Sequence, residues 1–170
     1  TDYALREYFK KISKEPWYKN TLFVFTADHC SSDIIFEESR ATPGLFSVPV
    51  FFFKPDNSLA GLEPEIIQQA DIMPSILGYL HYDKTYFAFG RDVFREKTTP
   101  MAFNYRDTYN LFMDDYLLSF NGEKVVGLFR FKEDEMLTRD LSSSEKVVGS
   151  EMEKKIKAII QQYNNRMIDN

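Results

Sequence analysis

Leu22-Phe23-Val24-Phe25-Thr26-Ala27-Asp28-His29 decides the fold: a short, almost unbroken apolar run that stops on a carboxylate and an imidazole. Thr21 to Thr26 is too short for a helix and too uniformly apolar for a strand with one wet face. It predicts a strand buried on both faces, of the parallel type covered by helices. Ser47 to Phe53 predicts a second such strand, Val48-Pro49-Val50-Phe51-Phe52-Phe53, closed by Lys54-Pro55-Asp56-Asn57. Between the two, Asp28 to Pro43 is polar and reads as a long loop.

Upstream, Tyr3, Leu5, Tyr8, Phe9 and Ile12 recur among charges at the spacing of an amphipathic helix over 3–13, which Pro16 ends before a turn at Trp17-Tyr18-Lys19-Asn20. Downstream, Glu63 to Ala70 predicts one helix. Asp71 reads as the N-cap of another that runs to Leu80, with Ile72, Ile76 and Leu77 apolar and Pro74 in the tolerant first turn. After Gly90 the pattern changes to short aromatic runs at 101–105, 108–113, 116–120 and 124–131. Asn121-Gly122 between the last two signals a type I′ hairpin. Met152 to Met167 predicts an amphipathic helix with Ile156, Ile159, Ile160 and Tyr163 on one side.

These elements predict an α/β fold: buried strands with helices, then an antiparallel meander and a final helix. The chain reads as a single domain fragment over 1–170, with an α/β part at 1–90 carrying the Asp-His pair, a β-rich section at 91–150 and a C-terminal helix at 151–170. It opens without a methionine inside an expected helix, so targeting signals are expected upstream.

Composition narrows the partners. With 21 basic and 26 acidic residues the net charge is −5, which argues against nucleic acid or anionic lipid as a general ligand. The lone Cys30 excludes an internal disulfide. No apolar run approaches the length of a membrane span.

In open α/β sheets, ligand groups gather at the carboxyl ends of strands, where Asp28 and His29 are expected. A carboxylate oxygen and a neutral imidazole nitrogen are suitable donors for a divalent ion. Alone, the pair reads as a strand-end turn in which Asp28 caps nearby amides and His29 is a surface histidine. Its surroundings change that reading.

Asn20 to His29 resembles the sulfatase family of the alkaline phosphatase superfamily, in which an N-T-apolar-T-x-D-H segment precedes a metal-binding loop. Val48-Pro49-Val50 is similar to that family's (I/V)-P-(L/V) strand. Gln69-Ala70-Asp71-Ile72-Met73-Pro74-Ser75-Ile76-Leu77 looks like its Q-x-D-I-x-P-(T/S)-(I/V)-L helix start. Phe129 to Leu141 is similar to the closing L-Y-D-L-x-x-D-P-x-E-x-x-N-L segment. Four motifs in this order are more specific than any one of them. Asp2-Tyr3-Ala4-Leu5 and the aromatic wording after Gly90 further resemble the bacterial, Bacteroides-type, lipoteichoic acid synthase-like branch.

By that resemblance the chain is the C-terminal part of a sulfatase or phosphoglycerol transferase-like enzyme acting on sulfate or phosphate esters. Asp28 and His29 are then two ligands of one divalent ion, manganese by the branch, with Ca, Mg and Zn as alternatives. An acidic ligand and a Thr nucleophile are expected in the N-terminal half of the same domain, so the isolated fragment is expected to be inactive. The resemblance also implies an extracytoplasmic location, with membrane attachment only through an upstream anchor. The alternative is a non-catalytic binding or scaffold module that keeps the fold.

The loop after Asp28-His29 has no second histidine, which favours one ion over two. Arg40, the only basic group between the two strands, is a candidate for the substrate anion, against a surface pair with Glu37 or Glu38. Cys30 reads as a half-buried spectator, although a thiolate is a possible soft ligand. His81 is expected to face the last carbonyls of its helix, and Asp114-Asp115 to form a solvated hairpin turn. The aromatic runs from Phe103 to Phe131 read as sheet core, with a sugar-stacking surface as the alternative.

Overall fold

The computed structural model describes residues 1–30, 40–62, 64–96 and 99–168. Its elements are α1 (Asp2–Ile12), β1 (Phe23–Thr26), α2 (Thr42–Phe46), β2 (Val50–Phe53), α3 (Ile72–Tyr79), β3 (Met101–Tyr105), β4 (Tyr109–Met113), β5 (Tyr116–Phe120), β6 (Val125–Arg130) and α4 (Lys146–Ile168). They fall into two compact units, one of residues 1–29 and 48–64, the other of 30–47 and 65–170.

In the first unit, α1 lays its apolar face on a β1–β2 ribbon. The Phe9 ring meets Phe23, Phe53 and Phe25 at centroid distances of 5.4, 5.6 and 5.9 Å. Ion pairs Asp2–Arg6 and Glu7–Lys10 occupy the opposite, wet face of the helix. The strand expectation needs one correction. β1 and β2 pair with each other antiparallel, Phe23 opposite Phe53 and Thr26 opposite Val50, and only Phe23 is buried while Phe51 is 60% exposed. An unbroken apolar run carries no record of pairing direction, and α1 covers only one face of the ribbon.

The second unit is built on a four-stranded antiparallel meander in the order β3-β4-β5-β6. The pairing places Leu111, Leu118 and Leu128 in a row across three strands, all fully buried. α4 covers that row with Met152 and Ile156, which are also buried. Each such side chain contributes about 1.5–3 kcal/mol by leaving water. The register is reinforced by Asn110, a buried amide whose Nδ2 donates to Asn104 Oδ1 at 3.0 Å and whose Oδ1 accepts from Ser119 Oγ at 2.8 Å. Both neighbours are its cross-strand partners.

Five local expectations differ from the structure. Glu65 to Gln68 is not helical; only a single 3-10 turn, Gln69–Asp71, precedes α3. Gln68 is extended, with its side chain committed to capping that turn, and the β-branched Ile66-Ile67 gives little helical drive. Asp71 does not cap α3 with its side chain, because its carboxylate is spent elsewhere. The Asn121-Gly122 hairpin is present, but as a four-residue loop. Asn121 Oδ1 accepts the Glu123 and Lys124 N–H groups, and only Gly122, at φ 100°, takes the left-handed side. α4 starts at Lys146, ahead of the expected 152, and the expected loop 28–43 gives way to α2 at Thr42.

Candidate functional site

Asp28 and His29 stand just past the carboxyl end of β1, on exposed backbone. The antiparallel ribbon ends at the Thr26–Val50 pair, so both residues lie past the ladder and outside its strict alternation. Asp28 Oδ1 accepts the N–H of the next residue, His29, at 3.0 Å, which turns the carboxylate toward the following peptide. The other oxygen, Oδ2, lies 3.5 Å from His29 Nε2. One carboxylate and one imidazole are therefore presented side by side.

That donor set fits a divalent ion in kind: a hard oxygen and a borderline nitrogen. It is half of a site in number. Among the described residues no three His, Cys, Asp or Glu side chains converge as a metal cluster. Asp33, Glu37 and Glu38, in the sequence that follows, lie outside the described residues.

The other candidates belong to the second unit. Cys30 is partly buried, its Sγ donating to the Ser47 carbonyl at 2.7 Å and near that of Gly44 at 3.3 Å, which ties it to α2. Arg40 is exposed just before α2; its expected partners Glu37 and Glu38 fall outside the described residues. His81 takes φ 55° past α3, where its N–H reaches Gly78 O and that of Tyr82 reaches Leu77 O. This is a Schellman C-cap with histidine in the place usually held by glycine. Its ring does not face the last carbonyls as expected: Nδ1 is 2.8 Å from an Arg95 guanidinium nitrogen, which can only donate, so Nδ1 accepts. Asp114 and Asp115 form the tight β4–β5 turn, Asp114 at φ 52° and Asp115 paired with Lys132, as a solvated hairpin requires.

Sequence reasoning missed two constellations. One is a buried polar knot. Asp71 Oδ1 accepts the Arg91 N–H at 2.8 Å and Oδ2 the Gln68 N–H at 3.0 Å, while Ser75 Oγ donates to Asp71 O and accepts from the Val93 N–H. Burial pushes the Asp71 carboxyl above its ordinary range, against the pull of the two N–H donors and the Arg91 charge. The other is a groove beside α4, lined by Tyr109, Phe120, Lys157, Gln161 and Asn164 among others. Its sequence signal was the polar spacing 157, 161, 164–165, one stripe of a helix.

Residues 1–82, which contain the Asp28-His29 pair, match the sulfatase family model. No curated protein matches the chain. Among solved structures, Ps i-CgsB in complex with k-i-k-neocarrahexaose superposes with a TM-score of 0.72 at 18% identity, over 92% of this chain and 40% of its own. Ps i-CgsB alone gives 0.71 at 19% identity, over 92% and 40%. A protein in the alkaline phosphatase superfamily from Vibrio parahaemolyticus gives 0.66 at 22% identity, over 87% and 36%. The chain thus shares the α/β fold of these structures and spans about two fifths of their length.

Proposed function

We propose that this chain is the C-terminal section of a sulfatase-like catalytic domain that cleaves or transfers sulfate or phosphate esters. The observation that carries the reading is the Asp28-His29 pair at the end of β1, inside the stretch that matches the sulfatase model. In this reading the two side chains hold one divalent ion, manganese by the branch resemblance. Nucleophile and remaining ligands come from residues outside the chain, as expected of a section two fifths the length of its structural neighbours. The ion, when bound, supplies Lewis-acid stabilisation of charge on the ester's anionic oxygens. Asp28 supplies a negative donor, and its contact with the His29 N–H fixes the carboxylate's direction. His29 supplies an imidazole nitrogen. Arg40 is assigned to the substrate's anionic group.

The branch reading adds phosphoglycerol transfer, an extracytoplasmic location and an upstream membrane anchor. None of the described helices is long and apolar enough to cross a membrane.

The test uses the full-length protein with Asp28→Ala and His29→Ala variants, read by metal content after dialysis and by turnover of p-nitrophenyl sulfate and bis-p-nitrophenyl phosphate. Each variant is expected to lose bound metal, with turnover falling by more than about 100-fold. Variants that keep both would overturn the assignment. Residues 1–170 produced alone are expected to show no turnover; a rate equal to the full-length protein would sink the shared-site reading.

A further inference from the structure

The groove beside α4 has a chemistry of its own, apart from any ester cleavage. It encloses about 510 Å³ and lies wholly within the second unit. Its floor is apolar: the buried Phe120, the half-buried Tyr109 and Ile160. Tyr105, 64% exposed, packs against Tyr109 with ring centroids 4.7 Å apart and extends the aromatic surface at the end of the β3–β4 hairpin.

One wall is a stripe of α4 in which Gln161, Asn164 and Asn165 follow Lys157 at helical spacing. These three amides form no side-chain hydrogen bonds within the described residues, so each presents unspent donors and acceptors. Lys157 is the groove's only cation among its lining residues. Its charge is already matched by Glu153, and its Nζ sits 5.3 Å from the Phe120 ring centroid. The lining is therefore amphipathic and electrically balanced.

A ligand that fits must show a C–H face to the aromatic floor and paired donor–acceptor groups to the amides, without net charge. A pyranose ring does both, since each hydroxyl donates and accepts while the axial C–H groups form an apolar face. We propose that this groove binds a stretch of neutral glycan chain, one or two sugar units deep. A peptide adding by strand pairing would need a free strand edge, whereas the wall here is a helix side. A sulfated or carboxylated sugar would need an unspent cation. The assignment stands independently of the Asp28-His29 metal reading, because it uses none of the same residues.

Isothermal titration of the full-length protein with neutral hexasaccharides (cello-, malto-, xylo- and neoagaro-oligomers) and with sulfated neocarrahexaose tests it. At least one neutral sugar is expected to bind. Asn164→Ala combined with Asn165→Ala, both exposed and outside the core, is expected to weaken that binding by about tenfold through the lost amide bonds. His29→Ala is expected to leave it unchanged, which separates this groove from the proposed ester site. Binding of the sulfated sugar alone, binding unaffected by the double variant, or no binding at millimolar sugar would each overturn the proposal.

Discussion

Asp71 and Arg91 are joined across twenty residues of chain by a 2.8 Å hydrogen bond, the Arg91 N–H donating to a carboxylate that is almost wholly buried. The second oxygen accepts the Gln68 N–H, and the Gln68 side chain in turn accepts the Phe103 N–H at the start of the meander. One acid thus ties the entry of α3 to the irregular segment at 90–93 and, through Gln68, to β3. Asp71→Ala strands two N–H donors in a buried place and is expected to cost about 3 kcal/mol in urea unfolding. Asp71→Asn keeps one acceptor oxygen and is expected to cost less.

The same carboxyl has a pH signature. Burial, the largest cause, holds its folded value above the ordinary 3.8, so the folded chain binds this proton more readily than the unfolded one. Its contribution to stability is fully present below the unfolded value and is lost as pH rises through the folded one. Stability measured against Asp71→Asn is therefore expected to improve for the wild type as pH falls through that window. A difference that is flat with pH would refute it.

Asp140 runs the opposite way. Burial works against its charge, but the Ser142 and Leu128 N–H groups and the Ser142 hydroxyl hold the carboxyl below its ordinary value. Stability from this group is present above the unfolded value near 3.8 and is lost as pH falls through the folded value. Acid is expected to release the Leu128 amide, raising its hydrogen-exchange rate relative to its neighbours in β6. Asp140→Asn is expected to remove most of that acid dependence.

Two glycines separate close approach from helix propensity. A Cβ on Gly90 would lie 2.1 Å from the Ala70 carbonyl oxygen, a backbone atom that cannot step aside, within the Asp71 knot. Gly90→Ala is expected to destabilise by about 3 kcal/mol or more through forced displacement. Gly149, inside α4, would place its Cβ 3.6 Å from Leu128 Cδ2, an ordinary contact. Gly149→Ala is expected to stabilise by about 0.5–1 kcal/mol. Thermal unfolding of the two variants checks both signs.

The Schellman cap of α3 gives a milder test. His81 holds φ 55°, a conformation that glycine enters at no steric cost. His81→Gly relieves that cost but surrenders the bond to Arg95, which is exposed and worth little. A net change within about 0.5 kcal/mol of zero is expected, whereas His81→Val, β-branched at positive φ, is expected to lose about 1–2 kcal/mol.

The meander was legible because its signal is local. Alternating aromatic runs broken by polar turns named all four strands to within about a residue, and α1 followed from Tyr8, Phe9 and Ile12 at helical spacing. Asp28-His29 was legible as a strand-end pair for the same reason. The Gln161–Asn164–Asn165 stripe passed as an ordinary wet helix face, since nothing in its spacing reports the aromatic floor opposite.

The sequence by itself determined where the chain turns and which side of each segment is apolar, because periodicity records one face of one segment. It also set Asp28 and His29 side by side past β1, since adjacency is covalent. Only the tertiary structure decided that β1 and β2 run antiparallel, that Asp71 serves Arg91 rather than capping α3, and that α4 meets Tyr109 and Phe120 across a groove. Those are relationships between segments twenty or more residues apart. They are fixed by which surfaces pack and which buried N–H groups must find an acceptor, and no local pattern carries that information.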